Sequence, residues 1–418
     1  MAVGADLSVV SASKADQRRS VWAAVLGYAM DGLDQQVIAY TLSAIMVTFA
    51  LSTAQGGILA AVSLWGTWAG AYLFGFLADY FGRVRTFTYS ILLYAFATGL
   101  SALSPNFGTF AALRFVVGIG IGGEFGIGMA LVMETWPKHI RARAGSYVAV
   151  GFNVGTLLAS VVTLIVLPYG GWRGVMAVGV LPAIVAFVYR RKIKDPELTH
   201  RVRRTKQKFP LTYLFDTPTR TKATIGLWFM TAVQNFGYYG IMVWMPSALE
   251  KEKHFNLAGT TLWVLLTTIG MVGGILLFGW ACDKIGRKPS YIVLFLATAI
   301  VIPIYFSLRN PTVMLFGGVI LGVFVNGGMG GYGAILGEHF PTEARATAEN
   351  FIFGSGRGIG GGFGPVLIGI LASTQSLTSA LAFLALVYPV AALVVALFVK
   401  ELKGTELVTD TADPAASV

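Results

Sequence analysis

Long apolar runs, separated by short polar connections, dominate the pattern of this 418-residue chain. A helix needs about 20 mostly apolar residues to cross a bilayer, and on that basis the pattern predicts twelve membrane-spanning segments. They are 21–47, 55–79, 85–104, 109–133, 143–167, 173–191, 222–248, 258–282, 288–308, 312–336, 346–371 and 377–399. One long connection, 192–221, divides the segments into six and six. The pattern therefore predicts an all-α membrane protein with two six-helix bundles.

Domain boundaries follow from the same pattern. We predict a cytoplasmic tail at 1–20, a first bundle at 21–191, a basic cytoplasmic linker at 192–221, a second bundle at 222–399 and a cytoplasmic tail at 400–418. The first apolar run contains Asp31 and Asp34, and no small-residue cleavage site follows it. We therefore interpret this run as a retained helix and not as a cleaved signal peptide.

The placement of basic residues predicts the orientation of the chain. With the N-terminus inside, inner segments carry 25 of the 31 Lys and Arg residues, outer connections carry four, and two lie within helices. Because inner loops of membrane proteins are rich in Lys and Arg, we expect both termini to be cytoplasmic. The net charge of +11 is then a topology signal, and we expect contact with lipid but none with nucleic acid.

The two predicted bundles repeat each other at an offset of 204 residues. The motif Gly-x-x-x-Asp-x-x-Gly-Arg ends at Arg83 and returns ending at Arg287. The same offset carries Glu134 onto Glu338, and Arg141 onto Arg345. Duplicated halves with a site at their interface are typical of secondary transporters that work by alternating access.

This repeated motif resembles the signature of the major facilitator superfamily. Five further stretches are similar to the sialate and organic-acid:proton symporters within it. They are Asp31-Gly-Leu-Asp34, the run from Arg114 to Glu124, Glu134-Thr-Trp-Pro137, Gly171-Trp172-Arg173, and Gly356-Arg357-Gly358-Ile359-Gly360. Leu33 replaces an aromatic residue that is usual in the aromatic-acid:proton symporters. Gly151-x-x-x-Gly155 lacks the following proline of drug:proton antiporters, which disfavours efflux.

Asp31 and Asp34 are the strongest candidates for proton coupling, with Glu124 next. The two aspartates lie near mid-membrane on one helix face, where a charge costs several kcal/mol. Two such neighbours do not both ionise easily, so we expect one to hold a proton near neutral pH. The alternative is that Gly32 breaks the helix and the acids cap it or pair with an arginine.

Arg357 is the main candidate for binding a substrate carboxylate, because guanidinium binds carboxylates through two parallel hydrogen bonds. It lies among six glycines between 354 and 362, which leave room for a ligand. A structural salt bridge to Asp31, Asp34 or Glu124 is the alternative. The offset maps Asp31 and Asp34 onto neutral residues, so we expect the second half to supply neutral ligand contacts. The remaining substrate-binding candidates are Arg114, Asn153, Gln234, Asn235, Tyr238, Tyr239 and Asn326.

Charged residues at inner helix ends form a third group. The resemblance implies that they hold the inner side closed as a cytoplasmic gate. They are Asp79, Arg83, Glu134, Arg141, Asp283, Arg287, Glu338 and Arg345. The glycine runs at 118–123 and 354–362 lie inside apolar helices, so we interpret them as close helix packing and not as phosphate loops.

We expect no cofactor, metal site or catalytic set, because the sequence lacks their residue spacings. The predicted function is import of an organic anion, a small or aromatic carboxylate or a sialate-like acid, in symport with protons. We expect a plasma-membrane protein, of the bacterial inner-membrane type, that acts as a monomer. A sugar or drug facilitator or antiporter and a transporter-like ligand sensor remain as alternatives.

Overall fold

The computed structural model describes residues 14–51, 53–181, 210–342, 344–372 and 374–404. Within these ranges the chain is helical almost throughout and has no β-strand. In the first half the helices are α1 Lys14–Thr48, α2 Thr53–Phe81, α3 Arg83–Ser101, α4 Phe107–Gly122, α5 Glu124–Thr135 and α6 Arg141–Val178. In the second half they are α7 Pro218–Glu252, α8 Leu257–Ile285, α9 Arg287–Ser307, α10 Pro311–Asn326, α11 Tyr332–Gly337, α12 Arg345–Ala372, α13 Leu377–Ala382 and α14 Val387–Phe398.

These helices follow the predicted segments, with differences at several ends. The first helix begins at Lys14, seven residues before the predicted start of its segment. The fourth segment is interrupted between α4 and α5, and the tenth is interrupted by a short 3-10 helix at Gly327–Gly331. Residues 182–191 of the sixth predicted segment, the predicted linker residues 192–209 and the tail residues 1–13 and 405–418 lie outside the described residues.

The predicted connection between the fifth and sixth segments coincides with a break inside α6. Gly171 there has φ 58 and ψ −168, in a region that side-chain-bearing residues rarely adopt, and Pro168 precedes it. The sequence therefore interrupts the helix where the apolar run is interrupted.

Six helical segments of the described chain are long and apolar enough to cross a membrane. They are Phe107–Thr135, Arg141–Thr163, Leu262–Ile285, Arg287–Ser307, Pro311–Gly337 and Leu377–Phe398. The helices α1, α7 and α12, which carry Asp31, Tyr239 and Arg357, fall outside this set. Twelve spans with both termini cytoplasmic therefore remain a prediction.

Glycines let pairs of helices approach to backbone contact. A Cβ atom at Gly155 of α6 would lie 1.8 Å from the carbonyl oxygen of Ala29 in α1, and one at Gly360 of α12 would lie 2.1 Å from that of Ala232 in α7. A Cβ atom at Gly118 would lie 2.2 Å from the carbonyl oxygen of Ser63. The interpretation of both glycine runs as close helix packing is confirmed.

The two halves meet along their inner parts. There α2 and α5 pack against α12, and α6 packs against α8. The rings of Phe125 and Phe353 stack across this boundary with centroids 3.9 Å apart, and Gly126 donates a backbone hydrogen bond to Asn350 at 3.0 Å. One buried apolar cluster includes residues of both halves, so the predicted cytoplasmic side is closed.

Candidate functional site

A buried ion pair between Asp31 of α1 and Arg357 of α12 joins the two halves. Nη1 of Arg357 lies 3.3 Å from Oδ2 of Asp31. Gln35, one turn along α1, donates from Nε2 to Oδ1 of Asp31 at 2.6 Å and accepts from Nη2 of Arg357 at 2.7 Å. Asp31 is fully buried and Arg357 is 3% exposed, so both charges depend on these contacts.

Neutral side chains of both halves also contact Arg357. Its Nε donates to the hydroxyl of Tyr239 at 3.1 Å. The guanidinium carbon lies 5.4 Å from the ring centroid of Phe152 and 5.9 Å from that of Phe353, at distances where cation–π attraction operates. Tyr238 packs edge-on against Tyr239 with centroids 5.0 Å apart. We call Asp31, Gln35, Tyr239 and Arg357 the central cluster.

Asp34 forms a second buried ion pair, entirely within the first half. Arg114 of α4 donates from Nη2 to Oδ2 of Asp34 at 2.9 Å and from Nη1 to Oδ1 at 3.4 Å. The hydroxyl of Thr98 in α3 also donates to Oδ1. Each aspartate therefore has its own arginine, which corresponds to the alternative in which the acids pair with arginines.

Glu124 differs from both aspartates because no arginine meets it. It lies at the start of α5 and is 1% exposed. The polar groups around it are the neutral hydroxyl of Tyr94 and the carboxylates of Asp31 and Asp34. Its described neighbours are therefore neutral or negatively charged.

Three buried carboxylates thus face two guanidinium groups. Burying an unpaired charge is far more costly than burying a neutral acid. The arrangement therefore favours a neutral, protonated Glu124 beside two charged pairs.

The predicted amides Gln234 and Asn235 bond to backbone carbonyl groups. Gln234 donates to the carbonyl oxygen of Val325 at 2.7 Å, and Asn235 donates to that of Thr231 at 2.9 Å. Oε1 of Gln234 and Nδ2 of Asn153 have no hydrogen bond within the described ranges. Asn326 ends α10 and is 7% exposed. Gln234 and Asn153 therefore each retain an unused buried hydrogen-bonding atom.

Gln35 and Thr98 contact the acids but were not among our sequence candidates. The repeat offset contains a signal for Gln35, because 204 residues separate it from Tyr239 and both bind Arg357. Thr98 is one hydroxyl in an apolar run, and nothing in its spacing marks it. Arg357 itself aligns with Asn153, so the mid-membrane arginine occurs in one half only.

At the inner end, Glu134 joins the two halves. It accepts from Nη2 of Arg83 at 3.1 Å and from Nη1 of Arg345, in the second half, at 3.2 Å. Arg83 also donates to the carbonyl oxygen of Thr342 at 2.8 Å. All three charged side chains are buried, so they are far less screened than a surface pair.

The related positions in the second half repeat part of this arrangement. Glu338 accepts from Nε and Nη2 of Arg287 at 3.1 and 2.9 Å. Asp283 accepts from the backbone N–H groups of Ala142 and Arg143 at 3.2 and 2.9 Å, and so caps the start of α6 across the boundary.

Arg141, another predicted gate residue, lies close enough to Glu338 across the boundary for its charge to favour the ionised carboxylate. Arg141 donates from Nε to the carbonyl oxygen of Trp136 at 3.3 Å. The side chain of Asp79 lies outside the described residues. We call Arg83, Glu134, Asp283, Arg287, Glu338 and Arg345 the inner network.

Both arginines that follow the repeated motif begin a helix after a glycine with positive φ. Gly82 has φ 104 and Gly286 has φ 125, values that a Cβ atom makes unfavourable. These glycines turn the chain sharply, so that Arg83 and Arg287 point back toward the buried glutamates of the inner network.

The sequence of the chain matches that of a known protein family. The sequence model of the Major Facilitator Superfamily matches residues 24–277 and 227–416. The chain belongs to the major facilitator superfamily. The resemblance drawn from its motifs is therefore confirmed.

Named relatives of this facilitator include several carriers of organic acids. It is 44% identical to a Haemophilus influenzae protein named only for metabolite transport, over 91% of this chain and 96% of that one. It is 30% identical to the cis,cis-muconate transport protein of Acinetobacter baylyi, over 90% and 93%. It is 29% identical to the sialic acid transporter NanX of Escherichia coli, over 84% and 86%.

Solved structures show the same fold. The proton:xylose symporter XylE bound to 6-bromo-6-deoxy-D-glucose superposes on the facilitator with a TM-score of 0.79 at 19% identity. The match covers 94% of this chain and 98% of that one. The protein is therefore an integral membrane transporter and not an enzyme.

Proposed function

We propose that this facilitator imports an organic anion together with protons by alternating access. One observation carries the proposal: Arg357, which belongs to the second half, is neutralised by Asp31, which belongs to the first. An anionic ligand can break this pair by binding Arg357, and a proton can break it by neutralising Asp31. The names of the muconate and sialic acid carriers among its relatives support a carboxylate as cargo.

The central cluster supplies the coupling step. When Asp31 takes up a proton, its attraction for Arg357 is lost, and a substrate carboxylate can take its place with two parallel hydrogen bonds. Without a ligand and with Asp31 charged, the pair holds α1 and α12 together. The pair therefore biases the equilibrium between the two states of the carrier, which requires only a few kcal/mol.

Glu124 is the second proton site in this proposal. It lies among the same carboxylates but has no arginine, so its protonation follows the charge of Asp31 and Asp34. The Asp34–Arg114 pair sets that charge from within the first half. The unused amide atoms of Gln234 and Asn153, with Asn235, Tyr238 and Asn326, supply neutral contacts for the ligand.

The inner network serves as the cytoplasmic gate. In the closed arrangement described above, Glu134 and Asp283 each bind groups of the opposite half. Release of these contacts opens the inner side for discharge of the substrate. We place the carrier, as a monomer, in the plasma membrane of a bacterial-type cell.

Uptake into proteoliposomes tests the proposal. The panel consists of radiolabelled cis,cis-muconate, sialic acid and 4-hydroxybenzoate, which are cargoes named for relatives, with xylose as the sugar control. We expect one acid to accumulate against its gradient only when an inward proton gradient is imposed. Accumulation of xylose alone, or uptake of an acid that ignores the gradient, would show the proposal to be wrong.

Arg357→Gln provides a second arm of the same experiment. We expect the variant to lose at least tenfold in affinity for the transported acid, because a charged bidentate contact becomes neutral. Binding is measured by displacement of the radiolabelled acid from purified protein. Unchanged affinity would remove Arg357 as the anion site.

A further inference from the structure

Gln35 makes the shortest contacts in the central cluster. Its amide nitrogen lies 2.6 Å from Asp31 and its amide oxygen 2.7 Å from Arg357, whereas the two charged groups approach each other only to 3.3 Å. The boundary between α1 and α12 is therefore joined more closely through the amide than through the ion pair itself.

The chemistry of the two neighbours fixes the orientation of this amide. A guanidinium group can only donate hydrogen bonds, so the amide oxygen must face Arg357 and the amide nitrogen must face Asp31. That orientation is the same whether Asp31 is charged or protonated, because the carbonyl oxygen of a neutral carboxyl still accepts. Gln35 can thus hold both residues through a change in the charge of Asp31.

Tyr239 matches Gln35 on the other flank of Arg357. The two residues are related by the offset of 204 and both contact the guanidinium, one through Nε and the other through Nη2. Both are neutral side chains. Arg357 therefore keeps two of its three polar contacts when Asp31 is neutralised, and its remaining donors stay aimed at the position that Asp31 occupied.

We propose that Gln35 is the positioning residue that makes anion binding at Arg357 depend on protonation of Asp31; this inference rests on the proposed function. While Asp31 is charged, the amide draws it to Arg357 and blocks the guanidinium. Once Asp31 is protonated, the same amide holds Arg357 ready for a ligand. Arg357 and Tyr239 of the cluster face Asp31, and the other titratable groups nearby are Tyr238 from α7, Glu124 from α5, Tyr94 from α3, and Tyr28 and Asp34 from α1.

An infrared titration of the full-length protein in lipid nanodiscs tests this inference without any substrate. The carboxyl band of Asp31 is identified by its loss in Asp31→Asn, and its protonation midpoint is followed against pH. Gln35→Met keeps the length of the side chain and removes a donor to the charged carboxylate. We expect the midpoint to rise by about one pH unit, since such a hydrogen bond contributes about 1.5 kcal/mol or more.

Gln36→Met is the matched control, because Gln36 is the neighbouring half-buried amide on the same helix. We expect it to leave the midpoint unchanged. Gln35→Glu provides a polar variant of the same size, and its added carboxylate should also raise the midpoint of Asp31. An unchanged midpoint in both Gln35 variants, or an equal shift in Gln36→Met, would overturn the inference.

Transport then separates this inference from the proposed function. With the acid that the wild type accumulates, Gln35→Met should raise KM about tenfold and move the pH optimum of uptake upward, while Gln36→Met changes neither. If the wild type accumulates no acid from the panel, the proposed function fails, but the infrared shift still decides whether Gln35 positions Asp31.

Discussion

The two buried arginines that pair with Asp31 and Asp34 neutralise these acids in different ways. Arg114 binds Asp34 with both charges in one half, so the pair moves as a unit. Arg357 binds Asp31 across the boundary between the halves, so relative motion of the halves can break that pair. Two aspartates three residues apart therefore have different physical roles, the first with a mobile partner and the second with a fixed one.

Asp34→Asn should destabilise the protein by about 3 kcal/mol or more, because it leaves Arg114 buried and unpaired. Chemical unfolding of the purified protein in detergent measures the change. The double variant Asp34→Asn with Arg114→Leu should recover most of the loss, since no buried charge then remains. Asp216→Asn, which removes a partly exposed ion pair with Arg220, should cost less than about 1 kcal/mol. A single variant as stable as the wild type would contradict this account of Asp34.

Glu338 gives the inner network a pH dependence. Burial raises the pKa of Glu338 to about 7, although Arg287 beside it acts in the opposite direction. The folded protein therefore holds this proton more tightly than the unfolded chain, in which the pKa of a glutamate is about 4.3. The resulting stabilisation is fully present below that value and is lost as the pH rises through 7.

We therefore expect the wild type to lose stability relative to Glu338→Gln as the pH increases from about 5 to about 8. Glutamine keeps the neutral shape at every pH, so the difference isolates this one group. Unfolding midpoints of both proteins across the range provide the measurement. Parallel curves would show that Glu338 does not titrate there.

At the scale of helices, two glycines of α12 allow the effect of helix packing on stability to be distinguished from the effect of backbone conformational freedom. A Cβ at Gly360 would meet the backbone of Ala232, whereas one at Gly362, two residues away, would meet nothing within 4 Å. Both glycines lie in α12, so the two positions share local helix propensity.

Gly360→Ala should therefore destabilise the protein by about 1–3 kcal/mol, because backbone contact between α7 and α12 must open. Gly362→Ala should be neutral or stabilise it by up to about 1 kcal/mol, since alanine favours a helix. Unfolding in detergent of the two variants side by side provides the comparison. Equal effects would mean that the glycines of α12 do not mediate this packing.

The sequence predicted the helices better than their mutual contacts. Apolar runs locate the segments, and Gly82, Gly171 and Gly286 end or break helices near predicted boundaries. The rotation of each helix about its axis is set by tertiary packing, so the partners of Asp34 and Glu124 could not be chosen from spacing alone.

For the whole molecule, the closed inner side depends on contacts that cross between the halves. Asp283 caps α6 through two backbone N–H groups and also lies 3.4 Å from Nε of Arg143. Ser146 is buried nearby against Gly279 of the other half. A thiol at this position would therefore report opening of the inner side.

Asp283→Asn should increase the labelling rate of Ser146→Cys by a maleimide at least about tenfold, because two hydrogen bonds to a charged group are weakened. The background carries Cys282→Ser, which removes the single native thiol. Glu252→Gln is the matched control, since Glu252 caps α13 within one half. Equal labelling in the two variants would exclude Asp283 from closure.

The count of buried charges also has an electrical consequence. With Glu124 neutral, the two ion pairs leave the middle of the protein without net charge. A monocarboxylate and one proton together carry no net charge. Their uptake should therefore be insensitive to membrane voltage. If Glu124 loads a second proton, each turnover moves one elementary charge inward and gains about 2.3 kcal/mol per 100 mV. Glu124, which has no arginine beside it, would thus determine whether the cell's voltage, in addition to its proton gradient, drives accumulation.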